Sequence, residues 1–337
     1  MRIRSGLELG IRAEMDPIVR AAEIARKNEL DYFLVPETHP KMAGVNAFEA
    51  LGKVSCRGGR TTMGTGIVSV HSRYKEEISR EIEKLCPADE TGLVIGLGAS
   101  TAAIARMWGH EKANSLSKLK NYTMHLKYNM SEMEKKIKVF WGVSRDRGKI
   151  AAASRLVMGD STLDLDPDGI ILHMETSRGV ERTVGLVKDC LGKNSPSRPY
   201  SKFEVAAIRL VYFVDHESDW KDSARRTIAN YVANNPGYSP GLARSGFTQE
   251  VDRIKTVYDQ IQEPSMKLSY ASAEVSDEML EALTTHGTPR EVAEGLYNYG
   301  RASGAKAVIA GVDMGKKDYY RPENIKNLEE LAQNLHW

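Results

Sequence analysis

Eight short apolar runs, nearly all followed by a stretch with helical periodicity, set the terms on which this chain can fold. Apolar runs of this length, bounded by glycine or proline, read as strands buried on both faces, which belong to parallel sheets covered by helices. LELGI at 7–11 opens the series and DYFLV at 31–35 follows, broken by Pro36. Further runs lie at 62–68, 93–97 and 138–143, in DGIILHME leading to His173 and Glu175, and at 204–214 and 307–312. Between the first two, Asp16 reads as an N-cap with Pro17 at the first helical position, and Ile18, Ala21, Ala22, Ile24 and Ala25 recur on one helical face. Helical patterns recur near 46–56, 75–85, 116–128, 147–158 and 180–191, and over 219–262 with an interruption at NNPGYSPG. Thr288, Pro289 and Glu291 carry the letters of a capping box. With no internal repeat and no low-complexity linker, the alternation predicts an α/β chain: one (β/α)8 barrel over 1–337, in preference to an open doubly wound sheet.

Composition narrows the function classes. At 337 residues and 41% apolar, the chain can bury a large core. The 47 Lys and Arg against 45 Asp and Glu leave a net charge of +2, which gives no case for a nucleic-acid or acidic-membrane partner. Cys56, Cys86 and Cys190 match neither a disulfide framework nor a metal-ligand spacing, and fit a reducing cytoplasm. The start, MRIRSGLELGI, lacks the apolar core of a signal peptide, and no uninterrupted apolar run approaches the ~20 residues of a membrane span. The expectation is a soluble cytoplasmic protein acting on a small molecule.

In such a barrel the working end is the carboxyl end of the strands. There TTMGTGIVSVHSRY, at 61–74, places Gly64 and Gly66 about Thr65, and GLVIGLGAS, at 92–100, places Gly96 and Gly98 about Leu97. Two glycine pairs on consecutive strands read as bare backbone on which a flat ring could lie, the alternative being relief of crowding inside the barrel. The same rule selects Glu37 and His39 after the second strand, His71 and Arg73 after the third, and Gly142, Ser144 and Arg145 after the fifth. It also selects His173 and Glu175 after the sixth and Gly311 and Asp313 after the last. Glu37 and His39 could trade a proton, against the alternative that they brace the loop. Ser144 and Arg145 ahead of a helix could hold an anion. His173 and Glu175 lack a third ligand, so no metal is expected. GLGAST has too few glycines for a dinucleotide fingerprint and no lysine for a Walker loop.

Taken together, AAEIARKNELDYFLVPETH, TTMGTGIVSVHSR, GLVIGLGAS, KVFWGVSRDRGKIAAA, DGIILH and HGTPREVAEGLYNYGRASGAKAVIAGV resemble the bacterial-luciferase-like superfamily. The resemblance is to the branch typified by the methylenetetrahydromethanopterin reductases, which use the deazaflavin coenzyme F420. It implies a (β/α)8 barrel holding F420, or alternatively FMN, at the strand carboxyl ends, with hydride transfer at C5 of the deazaflavin or its flavin equivalent. It also implies a cis peptide between Gly66 and Ile67 behind the ring, Glu37 as the acid ending the second strand, and a phosphate region including Ser144 and Arg145. The cofactor contacts expected at these strand ends are Gly64, Thr65, Gly66, Ile67, Gly96, Gly98, Gly142, Val143, Ser144, Arg145 and His173, with Glu37 and His39 as the catalytic pair. CPADETG before the fourth strand, and Ala99 and Ser100 after the glycine pair, depart from the reductases in the substrate region. The leading expectation is an F420-dependent oxidoreductase, the first alternative an FMN-dependent monooxygenase fed by a flavin reductase, and the second a flavin-binding protein without turnover. Barrels of this type often pair through their helices, so a homo-oligomer is expected.

Overall fold

The computed structural model describes residues 2–10, 14–37, 45–55, 59–85, 92–99, 105–106, 115–143, 147–155, 165–194, 199–214, 220–235, 237–312 and 321–337. Nine strands are present among them: β1 Arg4–Leu9, β2 Tyr32–Val35, β3 Thr62–Ser69, β4 Leu93–Gly98, β5 Ile137–Gly142, β6 Gly169–His173, β7 Glu204–Phe213, β8 Thr284–Gly287 and β9 Ala307–Val312. The helices are α1 Met15–Lys27, α2 Ala47–Ser55, α3 Lys75–Lys84, α4 Ser115–Glu132, α5 Arg147–Arg155, α6 Ser177–Asn194 and α7 Trp220–Asn234. They continue with α8 Ser239–Leu242, α9 Thr248–Gln260, α10 Pro264–Ser272, α11 Asp277–Leu283, α12 Pro289–Ser303 and α13 Pro322–Asn334. All the pairings are parallel, and the order β1-β2-β3-β4-β5-β6-β7-β9, with β9 back on β1, closes a (β/α)8 barrel.

Strand alternation sorts the side chains into two shells. One set, including Leu7, Phe33, Leu97, Trp141, Leu172 and Val308, packs outward against the helices in the main core. The other, including Tyr32, Leu34, Val94, Phe140, Ile171, Ile208 and Ile309, fills the barrel interior. At the amino end the interior is closed by an ion pair, Arg4 Nη2 to Glu204 at 2.6 Å, with Arg4 Nη1 donating to the Tyr32 hydroxyl at 3.1 Å. Burial raises the Glu204 carboxyl above its usual range even with Arg4 beside it.

Two expectations change. Asp16 is not the N-cap of α1: Glu14 holds that position and Asp16 lies in the first turn, where its charge still favours the helix dipole. And β8 is a ninth strand in a region expected to lead straight into α12. On β7, β6 pairs with residues 204–208, β9 with 206–211 and β8 with 210–213. Because β9 overlaps both partners, β6 and β8 share the opposite edge, and β8 takes over where β6 ends. Its four residues, TTHG, contain no apolar run, so the pattern carried no signal for it. The excursion between β7 and β8 has a core of its own, built on Ile228, Leu242, Phe247, Ile254, Met279 and Leu283 and seated on Leu210 and Tyr212 of β7. The capping box at Thr288 and Glu291 is formed as the sequence indicated.

Close approach of β3 and β4 sets a sharp test of packing. A Cβ on Gly64 would lie 2.2 Å from the carbonyl oxygen of Val94, whereas one on Gly185, exposed within α6, would meet nothing within 4 Å. Gly64→Ala is expected to lower the urea midpoint by the equivalent of about 2–3 kcal/mol or to prevent folding. Gly185→Ala should raise stability by about 0.5–1 kcal/mol in the same assay.

Candidate functional site

At the carboxyl mouth, β3 and β4 slip out of step. Thr65 pairs with Ile95, but the next pair is Val68 with Leu97, so Gly66 and Ile67 together oppose Gly96. This is a β-bulge, and the Gly66–Ile67 peptide within it is cis, at the bond the resemblance implies. At the bulge the hydroxyl of Thr65 bridges both backbone groups of Gly96. It donates to the Gly96 carbonyl at 3.1 Å and accepts from the Gly96 N–H at 3.0 Å. Thr65 is fully buried in that position, so its side chain holds the bulge and does not reach the mouth.

The second glycine pair and Gly142 make room for Ile67. A Cβ at Gly96, Gly98 or Gly142 would come within 3.0, 2.5 or 3.0 Å of the Ile67 side chain. The expected bare floor is therefore corrected: neighbouring side chains and backbone occupy the space that the glycines leave, and the mouth floor is Ile67 itself. Gly66 and Ile67 are both half-exposed, as are Gly142 and His173 around them, whereas Gly64, Gly96 and Gly98 are buried. Val143, also buried, belongs to the outer shell against the helices.

Glu37 is 3% exposed at its side chain and braces the bulge. Its Oε1 accepts from Arg73 Nε at 2.7 Å and lies 2.6 Å from Arg73 Nη2, its Oε2 accepts from the Ala47 N–H at 2.7 Å, and its own N–H donates to the Ile67 carbonyl at 3.2 Å. Both oxygens are thus committed to donors, which favours the bracing alternative weighed for this residue over proton exchange. His71 is buried, with Ser115 and Lys118 at its two ring nitrogens. His39, Ser144, Arg145, Ser100 and Asp313 lie outside the described residues.

The carboxyl that the structure does bring to the bulge is Glu8. It follows Gly6 at the inward parity of β1, it is 7% exposed, and its Oε1 is 3.4 Å from where a Gly66 Cβ would be. Burial pushes its pKa well above the usual carboxylate range, which favours the neutral, proton-bearing form. The sequence carried a faint sign of it, a charged letter at an inward position inside an apolar strand. Across the mouth, His173 ends β6 on the inward face, and burial lowers its pKa to about 4. Its ring meets Tyr231 edge-on at 4.8 Å and Tyr238 at 6.0 Å, and the two tyrosines meet at 5.4 Å. Tyr238 lies within electrostatic reach of Glu8 and Glu175, and burial followed by those two charges raises its hydroxyl pKa. The result is an apolar floor with a neutral imidazole, a phenol and a buried carboxyl around it: groups that orient a flat ligand and move one proton.

Among the described residues no three His, Cys, Asp or Glu are placed to hold a metal ion, and no helix is long and apolar enough to cross a membrane. No protein-family model matches the chain. Solved structures do. The coenzyme F420 dependent tetrahydromethanopterin reductase from Methanopyrus kandleri is similar over 99% of both chains, with a TM-score of 0.75 and 15% identity. An F420-dependent secondary alcohol dehydrogenase in complex with an F420-acetone adduct is similar over 100% of both chains, at 0.67 and 11%. The oxygenating constituent of 3,6-diketocamphane monooxygenase from the CAM plasmid of Pseudomonas putida, in complex with FMN, is similar over 99% of this chain and 98% of that one, at 0.61 and 12%. At these identities the likeness establishes the shared barrel.

The bulge and His173 each give a measurable expectation. Thr65→Val, close in shape, removes the two hydroxyl bonds to Gly96 and should cost about 1–3 kcal/mol in urea unfolding. His173 takes up a proton in the unfolded chain near 6.5 but in the folded one only near 4, so the unfolded state binds more protons between those values and stability falls as pH drops through that window. The loss is on the order of 2 kcal/mol once partial exposure of the ring is discounted, and His173→Phe should flatten the dependence of Tm on pH there.

Proposed function

We propose that this protein is an oxidoreductase that binds coenzyme F420 on the Ile67 floor and reduces a small ketone, or oxidises the corresponding secondary alcohol, with Glu8 exchanging the proton. The single observation behind this reading is the buried Glu8 carboxyl beside the Gly66–Ile67 bulge. The residues present suit a flat tricyclic ring: Ile67 offers a half-exposed apolar face, seated in the room that the glycines at 96, 98 and 142 leave. The bound cofactor would supply the hydride, delivered to or taken from carbon. The protein's part is the rest.

A neutral Glu8 can donate its proton to a carbonyl oxygen as carbon gains the hydride, leaving a carboxylate and an alcohol. In the reverse direction the carboxylate accepts the alcohol proton. Tyr238 and His173, with its neutral ring, place a donor and an aromatic wall around that oxygen without adding a charge. Tyr231 and Tyr238, edge-on at 5.4 Å, add aromatic walls beside His173. The solved structure of the same barrel with an F420-acetone adduct supports a ketone as the acceptor, and the FMN-bound one makes FMN the cofactor to test against F420.

Titration of the purified protein with F420 and with FMN, followed by fluorescence, is expected to give saturable F420 binding. Binding of FMN alone, or of neither, overturns the cofactor assignment. With reduced F420 and a series of short ketones, Glu8→Gln is expected to lower turnover about 100-fold or more, as loss of a general acid does. Because the burial that raises the Glu8 pKa makes its ionisation costly in the fold, the same variant should keep or raise Tm at pH 8. Turnover unchanged in the variant removes Glu8 from the reaction.

A further inference from the structure

A buried cation, Arg209, stands on β7 behind the mouth. It follows Ile208, which fills the barrel interior, so by strand alternation it points the other way, toward the helices. Burial lowers its pKa only to about 10, and it keeps its charge at neutral pH. Its partners among the described residues are carbonyls, a hydroxyl and a ring, with no carboxylate in contact. Nη2 donates to the Glu281 carbonyl at 3.1 Å and to that of Thr284, Nη1 donates to that of Ala282, and Nε donates to Thr285 Oγ1 at 3.2 Å. These groups lie in the last turn of α11 and the start of β8, where helix carbonyls lack partners of their own. Arg209 therefore fixes the point at which the excursion rejoins the sheet.

The same guanidinium reaches the end of β6. Its carbon lies 4.8 Å from the centre of the Tyr299 ring on α12, and the Tyr299 hydroxyl donates to the Glu175 carbonyl at 3.0 Å. Glu175 is two residues beyond His173, and the residue between them is strained. Met174 has a φ of +56°, a left-handed conformation that costs any residue with a Cβ and persists only where its surroundings hold it.

The turn decides where Met174 goes. Strand alternation would send it outward beside Leu172, among the helices, whereas it packs in the core of the excursion with Leu210 and Tyr212. His173 and Met174 thus diverge, one toward the mouth and the other into the segment that brings Tyr231 and Tyr238 to meet His173. Both supports of this aromatic wall lead back to Arg209, the end of β6 through Tyr299 and the return of the excursion directly.

We propose that Arg209 and Tyr299 are positioning residues of the mouth: from the helix side of β7 they hold the Met174 turn and the root of the excursion, and so set how His173 meets Tyr231 and Tyr238. The placement of His173 stands apart from the F420 reading, and its effect on ketone turnover rests on that reading. Tyr299→Phe removes the donor to Glu175 and keeps the ring beside Arg209, and Arg209→Lys keeps the charge and loses the fork. Histidine ring signals are followed by NMR through an acid titration, with His173→Phe to assign the His173 signal and His125 on α4 as the control. Wild-type His173 is expected to titrate near 4, and in either variant its titration moves up toward the usual 6.5 as water reaches the ring, while that of His125 stays in place. With reduced F420, the KM for a short ketone should rise about 5-fold or more while F420 affinity stays within about 2-fold, because the Ile67 floor is untouched. An unmoved His173 titration in Tyr299→Phe overturns the proposal, and so does a parallel shift of His125, the mark of general loosening. If F420 does not bind the wild type, that reading has failed on its own, and the His173 titration decides the positioning role. If Tyr299→Phe does not fold, the same titration of Arg209→Lys decides it.

Discussion

The mouth of this barrel depends on how one aliphatic side chain is accommodated. Ile67 turns inward at the bulge and takes up the space above three neighbouring residues, which is why β4 and β5 have glycine at 96, 98 and 142. Thr65 secures the arrangement with a hydroxyl that bonds both backbone groups of Gly96 across the register slip. Glu37 then ties the bulge to Arg73 and to the start of α2, so the end of β2, the start of α2 and the turn after β3 are held together. Floor, brace and side-chain bridge are parts of a single solution to a local crowding problem.

The two ends of the barrel handle buried charge in opposite ways. At the amino end Glu204 has a cation in contact, and the network of Arg4, Tyr32 and Glu204 closes the interior. At the carboxyl end Glu8 has its bulge neighbours Gly66 and Leu34 and no ion pair among the described residues, and its pKa rises accordingly. A carboxyl left in that state favours its proton-bearing form, which is what the proposed proton transfer requires.

Much of this was legible in the chain, and the reasons are physical. The eight barrel strands declared themselves because most of each is buried on both faces and so is largely apolar, and the capping box at Thr288 because its letters satisfy named backbone groups. The glycine pairs pointed to the bulge but not to its occupant, since spacing cannot tell room for a ligand from room for Ile67. Glu8 passed unmarked because a single carboxylate within LELGI looks like noise until the inward parity of β1 is known. Glu37 stood out for its place after β2, yet whether a carboxylate reacts or braces depends on its partners, and Arg73 lies thirty-six positions away in sequence. The tyrosines that meet His173 come from the excursion after β7, a neighbourhood created only by tertiary structure.

That excursion leaves and rejoins the sheet along the same strand, departing from the tip of β7 and returning as β8 on the edge that β6 has vacated. Both attachment points are therefore anchored to one rigid stave, and the material between them has its own apolar centre. Such a segment can be rewritten, lengthened or exchanged for one from another chain without moving a barrel strand. Because it also carries Tyr231 and Tyr238 to His173, exchanging it would change the walls of the mouth while leaving Ile67 and the bulge as they are.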